Sequence, residues 1–138
     1  MEMIFEKPKI LTFPVISGRG SLYIYEEAKN VPFLIKRVFT LTSTEKDSKR
    51  GFHAHKKTSQ ILICLKGRIE FTAENPDGEF FRFIIDSPNQ GIYIPPNSWH
   101  EMNYEADTIQ MVLASTNFEE ADYLRTKESF YAYYTQNS

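Results

Sequence analysis

Residues 50–60 read RGFHAHKKTSQ. The chain has three histidines, and two of them, His53 and His55, sit one residue apart here between Arg50 and the pair Lys56 and Lys57. On an extended chain successive side chains alternate faces, so the two imidazoles point the same way, about 7 Å apart along the strand. Gln60 and Gly67 follow, giving His-x-His, four residues, Gln, six residues, Gly. The third histidine lies in GIYIPPNSWHEMN (91–103), spaced Pro95-x-Asn97-x-x-His100 after Gly91, with Asn103 three residues on. The residues leave three readings open: a metal site, a proton-transfer site, or a solvated strand end.

Around these segments the chain reads as strands divided by turns. QILICL (60–65) is continuously apolar and short, as a strand covered on both faces would be. RIEFTAE (68–74) alternates cleanly, NPDG (75–78) signals a turn, and EFFRFIID (79–86) continues as a strand. IYI (92–94) and IQMVLAS (109–115) are further strands, as are SLYIYEEA (21–28) and FLIKRVFTL (33–41) upstream. STEKDSKR (43–50) is polar without period and predicts an exposed loop. Only the C-terminus changes period: Asn117 and Glu120 stand at capping-box spacing and predict a helix start. Phe118, Ala121, Tyr123, Leu124, Phe130 and Tyr134 would form its apolar side. Many short strands followed by a helical tail predict one all-β domain over residues 1–138, a sandwich or barrel.

Composition narrows the function classes. The formal net charge of −2 argues against nucleic acid, whose binders usually carry a basic surplus. No apolar run approaches the roughly 18 residues that span a membrane, and the N-terminus MEMIFEKPKILTFPVI lacks the marks of a signal peptide. Cys64 is alone among apolar neighbours, so a buried reduced thiol and a cytoplasmic protein are expected.

The two histidine segments are similar to the two sequence motifs of the cupin superfamily, with Gln60 where cupins usually carry Glu. That resemblance implies a jelly roll, or double-stranded β-helix, with its site in the barrel mouth. A metal reading takes His53, His55, Gln60 and His100 as ligands for a divalent ion, which neutral imidazoles suit. An amide is a poorer ligand than a carboxylate, however, and Arg50, Lys56 and Lys57 disfavour a cation nearby. A histidine site that handles an anionic ligand without metal or other cofactor fits these charges better.

Together RGFHAHKK, GRGSL, PFLIKRVF, YIPPNSWHEM and MVLAS…ADYLR resemble one cupin subgroup, the sugar-nucleotide 3,4-ketoisomerases acting on dTDP-4-keto-6-deoxyglucose. The resemblance runs from about Arg19 to about Arg125. It implies a metal-independent enzyme and a homodimer that exchanges N-terminal strands. The 3-keto products are aminated to 3-amino-3,6-dideoxyhexoses for surface polysaccharides, such as the O-antigen of lipopolysaccharide, or for antibiotics. It also implies that His53 and His55 are the catalytic pair, with His100 in support. Moving a ketone from C4 to C3 needs a C3 proton removed and a C4 proton added, work for side chains that titrate near neutrality. Arg19, Arg37 and Arg50 are the candidates for the diphosphate, through charge-assisted bonds. Gln60 is placed on the sugar, and Tyr93 and Glu101, which flank the second motif, complete the substrate-binding set. One departure stands out: the family carries tyrosines in the strand after KRV, where this chain has Phe39 and Thr40. A sugar-nucleotide 3,5-epimerase, a non-catalytic nucleotide-sugar-binding cupin and a metal-dependent oxygenase are the alternatives.

Overall fold

Antiparallel pairing organises the described residues, 4–136 of the computed structural model, into two five-stranded sheets and one separate hairpin. The chain begins with β1 (Lys9–Thr12), the hairpin of β2 (Val15–Gly18) and β3 (Gly20–Tyr23), and β4 (Arg37–Leu41). Then come β5 (Ser48–His55), β6 (Gln60–Lys66), β7 (Ile69–Glu74) and β8 (Phe80–Ile85). The last strands are β9 (Gln90–Ile94), β10 (Trp99–Tyr104), β11 (Ile109–Ala114) and β12 (Tyr123–Leu124), and the chain ends in helix α1 (Lys127–Gln136). One sheet has the order β1-β9-β6-β11-β4 and the other β12-β5-β10-β7-β8. This is the jelly roll expected from the cupin motifs.

Side-chain alternation explains the layers. Ile69, Phe71 and Ala73 of β7 are buried, as are Met102 and Tyr104 of β10, and they meet Leu62, Cys64, Ile92, Ile94 and Val112 from the opposite sheet. The odd residues of β6 face the other way: Ile61 and Ile63 pack with Phe13, Val31, Tyr93 and Leu113 under the segment that carries Phe33 and Ile35. QILICL is therefore apolar throughout because both of its faces are covered, at about 25 cal/mol for each Å² of apolar surface removed from water. Cys64 is buried with a free thiol, which burial pushes up to about 11.

Three local expectations change. SLYIYEEA is a strand only to Tyr23, because the chain then turns, with the Asn30 side chain accepting the Glu26 amide at 2.7 Å and Val31 fully buried. FLIKRVFTL pairs only from Arg37 onward; Phe33 and Ile35 serve as cover for β6 and its neighbours. The loop predicted over 43–50 ends early, since Ser48, Lys49 and Arg50 already pair with β10.

The C-terminal correction is larger. No helix starts at Asn117. A 3₁₀ turn (Glu120–Asp122) leads into β12, which pairs Tyr123 with His55 and Leu124 with Ala54, and α1 begins at Lys127. Its first turn is capped by Thr126, whose hydroxyl accepts the Ser129 amide at 3.1 Å. Tertiary bonds to Asp122 outweigh the helical signal of the segment before it. Of the predicted apolar side, Phe130 and Leu124 are buried against Ala54 and Trp99, while Phe118 is exposed.

Candidate active site

A pleated strand that begins SKRGFHAH ought to face Arg50 away from His53, three residues on. The structure does otherwise. In the ladder between β5 and β10, His53 lies opposite His100, yet Gly51 lies opposite Glu101 and Arg50 opposite Met102. Phe52 is thus an extra residue, a β-bulge of the kind that re-aims side chains beside sites. Gly51 and Phe52 both take positive φ, +93° and +59°. Gly51 also cannot carry a side chain without collision, because a Cβ there would stand 2.7 Å from the His100 carbonyl oxygen.

The bulge lets Arg50, His53 and His100 line one cavity of about 470 Å³, which Gln60, Phe39, Phe52, Tyr104, Gln110, Tyr123 and Arg125 also line. Ring centroids of His53 are 5.1 Å from His55 and 4.7 Å from His100. One ring nitrogen from each of the three histidines lies within 4.8 Å of the others. His100 Nδ1 is 3.1 Å from the Ser98 carbonyl, which can only accept, so Nδ1 carries that proton. His55 Nδ1 is 2.9 Å from Asp122 Oδ2, and its Nε2 is buried with no hydrogen-bond partner among the described residues.

Burial keeps this cluster neutral. His53 is lowered to about 4, first by burial and then by His55 and Arg125. Burial, followed by the two other imidazoles, holds His100 well below the usual histidine range. His55 is lowered too, by burial, although Asp122 opposes the shift through its hydrogen bond and charge. Three neutral imidazoles could hold a divalent cation by spacing. They bring no anionic donor, however, and the charges of Arg125 and Arg50 act on His53 and oppose a cation there.

The sequence-predicted residues divide clearly. His53, His55 and His100 come together, with Gln60 (4% exposed) and Arg50 on the same cavity. Arg37 sits between Phe39 and Phe118, its guanidinium carbon 5.3 Å and 5.7 Å from their ring centroids, and no carboxylate pairs with it among the described residues. Arg19 lies at the turn of the β2–β3 hairpin, away from this cavity. Tyr93 faces the other side of its sheet from Ile92 and Ile94, and its hydroxyl donates to Glu6 Oε2 at 2.9 Å. Glu101 accepts the Trp99 indole N–H at 3.0 Å on the outer face of β10. Neither Tyr93 nor Glu101 reaches the cavity, and strand parity is the reason: where His100 faces in, Glu101 faces out.

Sequence reasoning missed Asp122, Tyr123, Arg125 and Tyr104. The Tyr123 ring lies 5.1 Å from that of His53 and 4.5 Å from that of His55, and the Arg125 guanidinium stacks on it at 4.3 Å. Glu120 holds Arg125 through two bonds of 2.6 and 2.9 Å. Tyr104, inside the barrel, donates to Gln110 at 2.6 Å. Two tyrosines thus line the cavity although Phe39 and Thr40 stand in the strand where they were expected. The only signal was the string ADYLR, which local pattern assigns to a helix.

Residues 6–135 match the family described as WxcM-like, C-terminal (FdtA). The chain is 44% identical over 128 residues to the TDP-4-oxo-6-deoxy-alpha-D-glucose-3,4-oxoisomerase of Aneurinibacillus thermoaerophilus, covering 91% of each. Its fold superposes on QdtA, a sugar 3,4-ketoisomerase from Thermoanaerobacterium thermosaccharolyticum solved with TDP. The TM-score is 0.89 at 33% identity, over 97% of this chain and 98% of that one. A 3,4-ketoisomerase from Helicobacter canadensis gives a TM-score of 0.88 at 35% identity, over 95% and 99%.

Proposed function

The chain belongs to the FdtA family (WxcM-like, C-terminal), and from that premise we infer that it is a TDP-sugar 3,4-ketoisomerase. The observation that carries the reading is the cluster of three uncharged imidazoles beside one cavity, which Arg50 and Arg125 also line. The substrate is a TDP-linked 4-keto-6-deoxyhexose. Loss of the C3 proton leaves an enediolate, and a proton delivered to C4 leaves the ketone at C3. His53 and His55 are the pair we assign to these transfers, because a base must be uncharged to accept a proton and both are held neutral. His100 and Gln60 border the same space and are suited to the sugar hydroxyls. Arg50, with Arg37 nearby, supplies positive charge for the diphosphate. The reaction needs no redox partner, since hydrogen lost from one carbon is regained at the next.

The dimer belongs to this reading. Among the described residues the β2–β3 hairpin pairs with no other strand, and Val15, Ile16 and Leu22 on it are exposed, as are Leu34, Val38 and Phe39. A second copy of the chain would cover this apolar surface, and exchange of the N-terminal segment would carry Arg19 towards the partner's cavity. The protein would then work in the cytoplasm, making precursors of 3-amino-3,6-dideoxyhexoses for surface polysaccharides. No described helix is long and apolar enough to cross a membrane.

The test incubates metal-stripped protein with TDP-4-keto-6-deoxyglucose in heavy water and follows the sugar by NMR. The 3-keto isomer should form with solvent deuterium at the C3–C4 edge and none at C5. Folded protein that yields neither isomer nor exchange overturns the reading, and exchange at C5 turns it to a 3,5-epimerase.

A further inference from the structure

Asp122 is the one carboxylate that touches a histidine of the three-imidazole cluster among the described residues, and its surroundings are built around that contact. Its side chain is 2% exposed and that of His55 is 1% exposed. Oδ1 accepts the Lys57 amide at 2.8 Å, and Oδ2 accepts both the Thr58 hydroxyl and His55 Nδ1–H. Thr58, having given its proton to Asp122, accepts the Thr116 hydroxyl at 2.6 Å. The backbone closes the same joint: Lys56 N–H donates to the Asp122 carbonyl at 2.8 Å, Tyr123 pairs with His55, and the Tyr134 hydroxyl donates to the His55 carbonyl.

An ionised carboxylate only accepts hydrogen bonds. With neutral donors already on both oxygens, Asp122 requires the proton of His55 on Nδ1. The lone pair is then on Nε2, the atom that is buried and without a partner. His100 has the same tautomer, but a neutral carbonyl holds it. His55 alone combines a fixed tautomer with an adjacent negative charge.

We propose that Asp122 is a positioning residue for the ketoisomerisation: it fixes His55 as the Nδ1–H tautomer, presents Nε2 bare to the sugar, and stabilises the ring while Nε2 carries a proton. The inference rests on the 3,4-ketoisomerase reading and deepens it. A proton that leaves the sugar for Nε2 breaks its bond to the sugar and forms N–H. It returns within the turnover, so His55 and Asp122 end each cycle as they began, with no co-reactant. The segment carrying Asp122 is thereby part of the active site, although it lies outside the two histidine motifs.

The experiment uses the full chain labelled with ¹⁵N-histidine. Long-range ¹H–¹⁵N spectra report which ring nitrogen is protonated, and the three histidines are assigned from the His53→Asn and His100→Asn spectra. In the wild type, His55 should show a protonated Nδ1 and an unprotonated Nε2. In Asp122→Asn the tautomers should mix or invert, because an amide can also donate. The kcat should fall roughly 10,000-fold, the order seen when the aspartate of another aspartate–histidine pair becomes asparagine. KM and TDP affinity should stay within about threefold, because substrate binding is not what is lost. A merely structural residue would change melting but not the tautomer. An Nε2–H His55 in the wild type overturns the proposal, and so does an Asp122→Asn protein that keeps both tautomer and kcat. Should Asp122→Asn fail to fold, the wild-type spectrum alone decides. Wild-type protein that makes no 3-keto sugar overturns the enzymatic reading instead, whatever the tautomer.

Discussion

Arg50 lies opposite Met102 in the β5–β10 ladder, one position away from where unbroken pairing would put it. Met102 faces the barrel interior, so Arg50 faces the cavity with His53 and His100. The residue responsible is Phe52, which sits at φ +59° in the bulge. A single inserted residue thus reverses the parity of everything N-terminal to it on the strand.

Deleting Phe52 should restore plain pairing and turn Arg50 outward. A charge-assisted hydrogen bond is worth about 1.5–3 kcal/mol, so TDP affinity should fall by one to two orders of magnitude. Phe52→Gly keeps the extra residue and relieves the positive φ, so it should retain TDP binding far better. Calorimetric titration with TDP compares the two variants; equal affinities would remove the bulge from the account of the site.

Gly51→Ala places a methyl group against the His100 carbonyl oxygen at a φ of +93°. The neighbour is backbone and cannot swing aside, so a loss of about 1–3 kcal/mol of stability is expected. Activity should fall further than melting temperature suggests, because the displaced strand carries His100. Urea denaturation and turnover measured on the same preparation separate the two effects.

The histidine cluster sets the acid side of the pH profile. His53 accepts a proton only near pH 4, and His55 and His100 are lowered as well. The acid limb of kcat/KM should therefore fall below the usual histidine value of about 6.5. Stability follows the same linkage. Between about 6.5 and 4 the unfolded chain binds protons that the folded one refuses, so stability is complete above that window and declines as pH falls through it. Urea titrations at stepped pH check the second statement, and an acid limb at or above 6.5 contradicts the first.

Phe130 joins α1 to Ala54, Trp99 and Leu124 and is fully buried. Phe130→Ala should cost about 3–5 kcal/mol and loosen the helix that brings the Tyr134 hydroxyl to the His55 carbonyl. Thermal melting measures the first effect. Hydrogen exchange at the His55–Lys57 amides measures the second, and unchanged protection there would detach α1 from the site.

Exhaustive chelation should leave turnover unchanged. The three imidazoles lack an anionic ligand, and Arg125 and Arg50 raise the local positive potential. Elemental analysis of active protein with stoichiometric metal, lost together with activity on chelation, would reverse this expectation.

The sequence by itself determined the strands, the two-sided burial of β6, and the shared face of His53 and His55, because these follow from alternation along one segment. The resemblance to the two cupin motifs also joined His100 to them across the 44 positions between His55 and His100, and the family strings carried the jelly roll and the chemistry. Alternation even held the reason why Glu101 and Tyr93 stand outside the cavity, had His100 and Ile92 been taken as their reference. Tertiary structure alone decided the rest. The Phe52 bulge depends on the partner strand, so no local pattern reveals that Arg50 turns inward. The segment before α1 carries a helical signal that loses to hydrogen bonds from Lys57, Thr58 and His55 to Asp122, partners 64 to 67 residues away. A buried carboxylate finds its place only when distant donors can satisfy it, and that condition exists only in the folded chain.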